Sequence, residues 1–378
     1  MRRSSLVLLS IALLVLPATP ALGAVREVPP LPIYGAFAGA PPEVTAEAWI
    51  LYDDTFQRVL AEQNPDERRA MASTTKIMTS LVTLESGDLD QSVIVSARAA
   101  EIGEAEAGLV EGETWTVRDL LTAMLVRSAN DAAVAVAEGV AGSVEGFVAL
   151  MNTKARDLGL EHTQFVNPHG LDASGHFTSA RDLLTMARTA MEKPLFATLV
   201  RTQTARLPNA PDGTVRIVHN TNLLLGLYPG AIGVKTGYTG SAGLVLVAAA
   251  ENSGRRLYAV VMGSTDSFGD AAALLDYGTS QFGVIDVIME GVTYAQRRSS
   301  GTTADMAATS SVKTFAAKEE PVTLRTGFER AIPVVTASIG GRNVGETTLV
   351  GADAPGLPTL KDALAWAGRY WSWLWGDG

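Results

Sequence analysis

Ser73 and Lys76 stand three residues apart in the stretch MASTTKIMTS, residues 71 to 80, whose apolar positions recur at helical spacing. On a helix that spacing puts both side chains on one face, so the amine can approach the hydroxyl. A serine is inert until a base removes its proton, and a lysine can be that base only if its pKa falls. Burial lowers it, and so does a second cation nearby. A lysine among residues that look buried is costly unless it is paired or neutral, so the placement is surface chance, an N-cap serine with a snorkelling lysine, or chemistry. Two other triplets have suitable groups. RSAN contains Ser128-Ala129-Asn130 between apolar helical stretches, and GVKTGYT contains Lys235-Thr236-Gly237 on a β run. Roughly one S-x-x-K is expected by chance in a chain this long. Ser310 to Lys313 is indeed a second copy, to which no role is assigned.

Other chemistries fit the sequence less well. His162, His169 and His176 invite a metal reading, but Pro168, Gly170 and Gly175 break any continuous helix between them, and no H-E-x-x-H is present. No metal and no cofactor are expected. NPHGLDASGH reads instead as an ordered loop beside the site, its shape held by His169 and Asp172. The chain has no cysteine, which removes thiolate nucleophiles, disulfides and cysteine metal sites. A net charge of -10 argues against nucleic acid as a partner, since no basic stripe is available to neutralise phosphates.

The elements that must position these groups follow from the pattern. AWILYDD and RVLAEQN form a hairpin, and a helix runs from Ser73 to the stop at Gly87-Asp88. Residues 116 to 160 form a mostly helical lobe. TSARDLLTMARTAM is a further helix with Thr178 or Ser179 as N-cap. AIGVKTGYT, AGLVLVAAA and RLYAVVMGS are three strands of an antiparallel meander, closed by a helix around AAALLDYGTSQF. Strands at both ends with helices between them make one α+β domain at 46–285. From 286 to 355 the chain is rich in Val, Thr and Gly. It reads as a small β-sandwich-like module with strands IDVIMEGVTYA, SVKTFAA, EPVTLRT and IPVVTASI, interrupted by a Ser/Thr-rich loop at 299 to 311.

S-x-x-K, S-x-N and K-T-G in that order form the signature set of penicillin-binding proteins and class A β-lactamases. With ERRAMASTTKIMT, DLLTAMLVRSANDAA, FVNPHGLD before GHFTSARDL, and GVKTGYTGSAG before LVAAA, the chain resembles the low-molecular-mass penicillin-binding proteins that are D-alanyl-D-alanine carboxypeptidases. The resemblance implies a β-lactamase/transpeptidase-like α+β domain followed by a small all-β domain and a C-terminal amphipathic helix. It implies catalytic roles for Ser73 as nucleophile, Lys76 as general base, and Ser128 and Lys235 as proton relays. It implies substrate contacts from Asn130, Thr236, Gly237 and Tyr238, with the backbone N–H groups of Ser73 and Tyr238 as oxyanion hole. The implied partners are the peptidoglycan stem peptide and, as inhibitors, β-lactams. Relatives often carry an arginine after the M-G of the third strand, near the substrate carboxylate; MGSTDSFGDAAALL has none. Ile232 also replaces an aspartate common just before K-T-G, Met71 a proline and Ala129 a glycine. The rival readings are a serine β-lactamase, disfavoured because Glu161 lacks the usual spacing to the following asparagine, and a non-catalytic sensor, disfavoured by the intact trio.

Both ends of the chain carry location signals. Arg2 and Arg3 precede an apolar run from Leu6 to Leu16, then Ala21 and Gly23, the layout of a secretory signal peptide at 1–23. Pro29, Pro30, Pro32, Pro41 and Pro42 make 24–45 an extended lead-in. TLKDALAWAGRYWSWLWGDG aligns Leu360, Leu364, Ala367, Trp371 and Leu374 on one helical stripe, and 356–378 reads as a tryptophan-rich in-plane membrane anchor. The expected location is the outer face of a bacterial cytoplasmic membrane.

Overall fold

Every residue of the strand Ala48–Asp53 is buried, which an antiparallel strand shows only when both faces of its sheet are covered. Alternation along the strand explains how. Ala48, Ile50 and Tyr52 join the core beneath the helical lobe, while Trp49 and Leu51 join a second core on the opposite face. The same split divides Val245, Val247 and Ala249 from Leu246, Ala248 and Ala250 in the strand Gly243–Asn252. This is why the meander reads as near-continuous apolar runs rather than as strict alternation.

The computed structural model describes residues 25–27, 39–299, 302–317, 320–330 and 332–351. The signal peptide expected at 1–23 and the amphipathic helix expected at 356–378 lie outside the described residues. The described residues divide into two units, Gly39–Gly283 and a second one built from Val284 to Gly351 together with Val25–Glu27.

In the larger unit five antiparallel strands lie in the order Arg58–Gln63, Ala48–Asp53, Arg255–Ser264, Gly243–Asn252, Ala231–Thr239. The strand carrying Lys235 is therefore an edge. The helix Ser267–Gln281 covers one face, with Asp266 accepting from Gly269 N as its N-cap. The other face carries the helical lobe: Val117–Thr122, a π-helical turn Ala123–Arg127, Asn130–Ala141, Val144–Asp157 and Ala180–Met191. Ser179 is the N-cap of the last of these, accepting from Asp182 N. At the centre of the lobe runs Lys76–Ser86, entered through a 3-10 turn at Ala72–Thr75 and ended by Gly87 at φ 98°. All residues from Lys76 to Thr83 are buried. Two of the polar ones survive burial by bonding within the helix: Ser80 Oγ donates to Lys76 O at 2.8 Å and Thr83 Oγ1 to Thr79 O at 2.7 Å.

The second unit is all-β. A six-stranded sheet is joined by the pair Phe282–Ile288 and Val312–Ala317, over a core that includes Val287, Ala295, Met306, Val335, Ala337 and Leu349. It corrects the sequence reading at three places. IDVIMEGVTYA is two elements separated by a turn at 289–292. The stretch read as a Ser/Thr-rich loop contains the strand Thr302–Ala308, whose Met306 and Ala308 are buried. A further strand, Arg342–Gly351, follows Ile332–Ile339. Threonine-rich segments look like loops by polarity, but threonine is β-branched and favours a half-buried pleated surface. Within the expected lead-in, Val25–Glu27 pairs with Thr293–Ser299.

Candidate active site

Lys76 Nζ lies 2.9 Å from Ser73 Oγ, 2.7 Å from Asn130 Oδ1 and 2.6 Å from the carbonyl oxygen of His169. The amide of Asn130 is oriented by its other end, where Nδ2 donates to Gly103 O at 3.1 Å, so Oδ1 must face the lysine. A neutral amine has two N–H donors and one lone pair. Asn130 Oδ1 and His169 O take both donors, which leaves the lone pair for the hydroxyl proton of Ser73. Lys76 is fully buried and its pKa is driven well below the usual lysine value, first by desolvation and then by the charge of Lys235; Asp131 and Glu104 oppose the shift. No carboxylate bonds to it among the described residues. The electrostatics thus favour the form of lysine that can accept a proton, and in that form the geometry leaves its lone pair to Ser73.

Lys235 is the second buried cation, its pKa lowered to about 7 by desolvation. Its Nζ donates to Ser128 Oγ at 2.9 Å and to Thr236 O at 3.0 Å. Ser128 caps the π-helical turn in the left-handed region, φ 65° and ψ 30°, so the chain reverses there and Asn130 can begin the next helix. Such strain in a non-glycine residue is characteristic of sites. The S-x-x-K, S-x-N and K-T-G residues, scattered over more than 160 positions of sequence, are brought together here.

Two glycines admit the backbone of the nucleophile. A methyl group on Gly237 would stand 3.0 Å from both Ser73 N and Ala72 Cβ. One on Gly170, which has φ +97°, would fall 2.0 Å from Ala72 O. Ala72 itself has φ 47°. The strand after Lys235 therefore passes directly beside the Ser73 amide, the placement an oxyanion hole requires. Tyr238 follows on that strand, 67% exposed at the mouth of the site.

Around this core two loops are locked. Asn167 Oδ1 accepts from His169 N and Gly170 N, and Thr79 Oγ1 donates to Pro168 O at 2.6 Å. Asp172 accepts from Thr239 Oγ1 at 2.7 Å, tying the loop to the Lys235 strand. His176 Nδ1 accepts from Val166 N and its Nε2 meets Thr75 Oγ1 at 2.8 Å. His169 and His176 are held neutral, with pKa values lowered to about 3 and about 4, chiefly by desolvation. Both rings hold loop backbone, His169 Nδ1 accepting from Leu171 N and His176 Nδ1 from Val166 N; the sequence reading named only His169 and Asp172 for that part. The second loop, 103 to 109, is fastened by the buried carboxylate of Asp131, which accepts from the amides of Ala107, Gly108 and Leu109.

A cleft of about 300 Å³ opens onto Ser73, walled in part by Ser128, Thr221, Thr236, Gly237 and Tyr238. No carboxylate lines it, so nothing there is placed to activate water as class A β-lactamases do. Thr221 was not singled out from the sequence, yet its hydroxyl lies 2.6 Å from that of Thr236. Asp131 was also missed; its position directly after S-x-N was the available signal.

Residues 36–266 match the family model described as D-alanyl-D-alanine carboxypeptidase. The chain is 38% identical over 245 residues to D-alanyl-D-alanine carboxypeptidase DacF of Bacillus subtilis, an alignment covering 63% of each protein. It is 36% identical to DacB2 of Mycobacterium tuberculosis, covering 63% of this chain and 83% of that one. Among solved structures, it is similar to the Streptomyces K15 DD-transpeptidase (TM-score 0.61, 32% identity, 64% of this chain and all of that one). It is likewise similar to the D-alanyl-D-alanine carboxypeptidase from Mycobacterium tuberculosis (TM-score 0.61, 34% identity, 66% and 96%). The chain thus spans under two thirds of the length of its Bacillus relative.

Proposed function

Because the chain belongs to the D-alanyl-D-alanine carboxypeptidase family, we propose that it removes the terminal D-alanine from peptidoglycan stem peptides through an acyl-enzyme on Ser73. The observation that carries this reading is the buried amine of Lys76, 2.9 Å from Ser73 Oγ with both of its own hydrogens engaged elsewhere.

Lys76 takes the hydroxyl proton as Ser73 Oγ bonds to the carbonyl carbon between the two D-alanines. The resulting oxyanion is held by the N–H groups of Ser73 and Tyr238. As the C–N bond breaks, Ser128 passes a proton to the departing D-alanine amine, with Lys235 sustaining the charge balance 2.9 Å from the Ser128 hydroxyl. Asn130 and Thr236 hold the substrate's amide and carboxylate ends. Water then cleaves the ester, and Ser73 recovers its proton. A β-lactam presents the same carbonyl-plus-carboxylate pattern and acylates the same serine.

The test is D-alanine release from a peptide ending in Lys-D-Ala-D-Ala, using the full-length chain and Ser73→Ala, each with and without chelator. Release that depends on Ser73 and ignores chelator is expected. Release surviving Ser73→Ala but lost with chelator would overturn the serine mechanism.

The reading extends to place. The charged-apolar-small order of residues 1–23 supports export, and the tryptophan-rich stripe of 356–378 supports attachment to the outer face of the cytoplasmic membrane. Fractionation of cells expressing the whole chain and a version ending at residue 355 checks this. The truncated form should move from the membrane to the soluble exported fraction.

A further inference from the structure

A peptidase that removes only the last residue must recognise a free carboxylate, and a carboxylate taken out of water needs a cation or several donors. The wall following the third meander strand gives Ser267 and Phe268 to the cleft, neither of which is a cation. Lys76 and Lys235 are buried and engaged with Ser73, Asn130 and Ser128. One permanent positive charge does line the cleft: Arg127, the residue before Ser128.

Arg127 differs from the other arginines around it. Arg216 is clamped on Glu113 and stacked over Trp115, Arg98 pairs with Glu145, and Arg69 pairs with Glu47 and Glu67. Arg127 is exposed, and among the described residues it makes no ion pair or hydrogen bond. It is also the residue at which the π-helical turn ends, immediately before the left-handed Ser128, so its place at the cleft is fixed by the same backbone reversal that positions the site. The Thr221 and Thr236 hydroxyls line this cleft too, 2.6 Å apart. Their mutual bond uses one hydroxyl proton and leaves the other free to donate to a carboxylate oxygen.

We propose that Arg127, together with the Thr221–Thr236 hydroxyl pair, is the carboxylate-recognition element of this enzyme, the guanidinium supplying the charge that no residue of the 264–268 segment provides. The inference rests on the D-Ala-D-Ala reading above and names how that site selects a free C-terminus.

The experiment compares acylation of the full-length protein by benzylpenicillin and by its methyl ester, in native protein, Arg127→Ala and Arg127→Lys. The native protein should prefer the acid. Arg127→Ala should slow acylation by the acid on the order of 10- to 100-fold, the worth of one charge-assisted contact. The ester rate should be unchanged, which also shows the variant to be folded. Arg127→Lys, keeping the charge but not the fork, should fall between. An acid-to-ester ratio in Arg127→Ala equal to that of native protein overturns the assignment while leaving the carboxypeptidase reading intact. Failure of the acid to acylate native protein overturns that reading and this inference with it.

Discussion

Asn130 and Asp131, neighbours in the chain, hold the same loop from two directions. Asn130 N donates to Ala105 O at 2.6 Å and Asn130 Nδ2 to Gly103 O, while Asp131 gathers three successive amides from Ala107 to Leu109. The first residue also touches Lys76, so the loop and the base are set by one short stretch of backbone.

Asp131→Asn should therefore destabilise the fold by about 2–4 kcal/mol, because a neutral amide cannot accept all of these bonds and leaves buried N–H groups without partners. Urea unfolding measures this. The folded fraction should also show an acid limb of activity at lower pH, since Asp131 raises the Lys76 pKa and its charge would be gone.

Acylation should follow the neutral form of Lys76, rising with pH through that group's lowered pKa and levelling above it. Lys235→Ala removes a positive charge that pushes this pKa down. The acid limb of kcat/KM should then move to higher pH, beyond the loss of rate that follows from an unpartnered Ser128. A pH profile of penicillin acylation for both proteins checks the direction.

Ser73→Ala should abolish covalent penicillin labelling. Lys76→Gln should slow acylation on the order of a thousandfold or more, the scale seen when one member of a nucleophile–base unit is removed. Intact-mass spectrometry after timed exposure distinguishes the two, since only the second retains the hydroxyl.

His176 couples acid stability to the loop beside the site. Its folded pKa of about 4 lies below the 6.5 of the free side chain. The stability it contributes is thus complete above about pH 6.5 and is lost as pH falls toward 4, on the order of 3 kcal/mol across the window. His176→Asn should be less stable than native protein at neutral pH, having given up the contacts to Val166 and Thr75, but should lose less on acidification. Urea midpoints at neutral pH and near pH 5 give both comparisons.

The chemistry was legible in the sequence because each motif is short and local. Ser73, in the 3-10 turn, leads directly into the helix that Lys76 begins, three residues later than the sequence placed its start, and Lys235 to Gly237 share a strand. The meander and the hairpin were legible from apolar runs bounded by turns. What joined the motifs was not. The carbonyl of His169 that engages Lys76 is a backbone group with no sequence signature. Thr221 comes from a segment with no periodicity, and only tertiary folding brings it to Thr236. The strand Thr302–Ala308 was hidden by its polarity, since Thr303, Ala304 and Asp305 face water and only the run from Met306 to Ala308 is buried.

Gly170 and Gly237 approach the Ala72–Ser73 backbone so closely that an added carbon has no room at the first position and fits at the second only if the nucleophile's backbone shifts. The nucleophile is thus located partly by atoms that are missing. Alanine scanning, the usual way to find the residues an enzyme needs, subtracts atoms from every side chain larger than alanine; at a glycine, these two included, it inserts one. A map of the site made by such a scan would mix two opposite kinds of damage under one label. Here the informative replacement at a sensitive position is the one that restores emptiness.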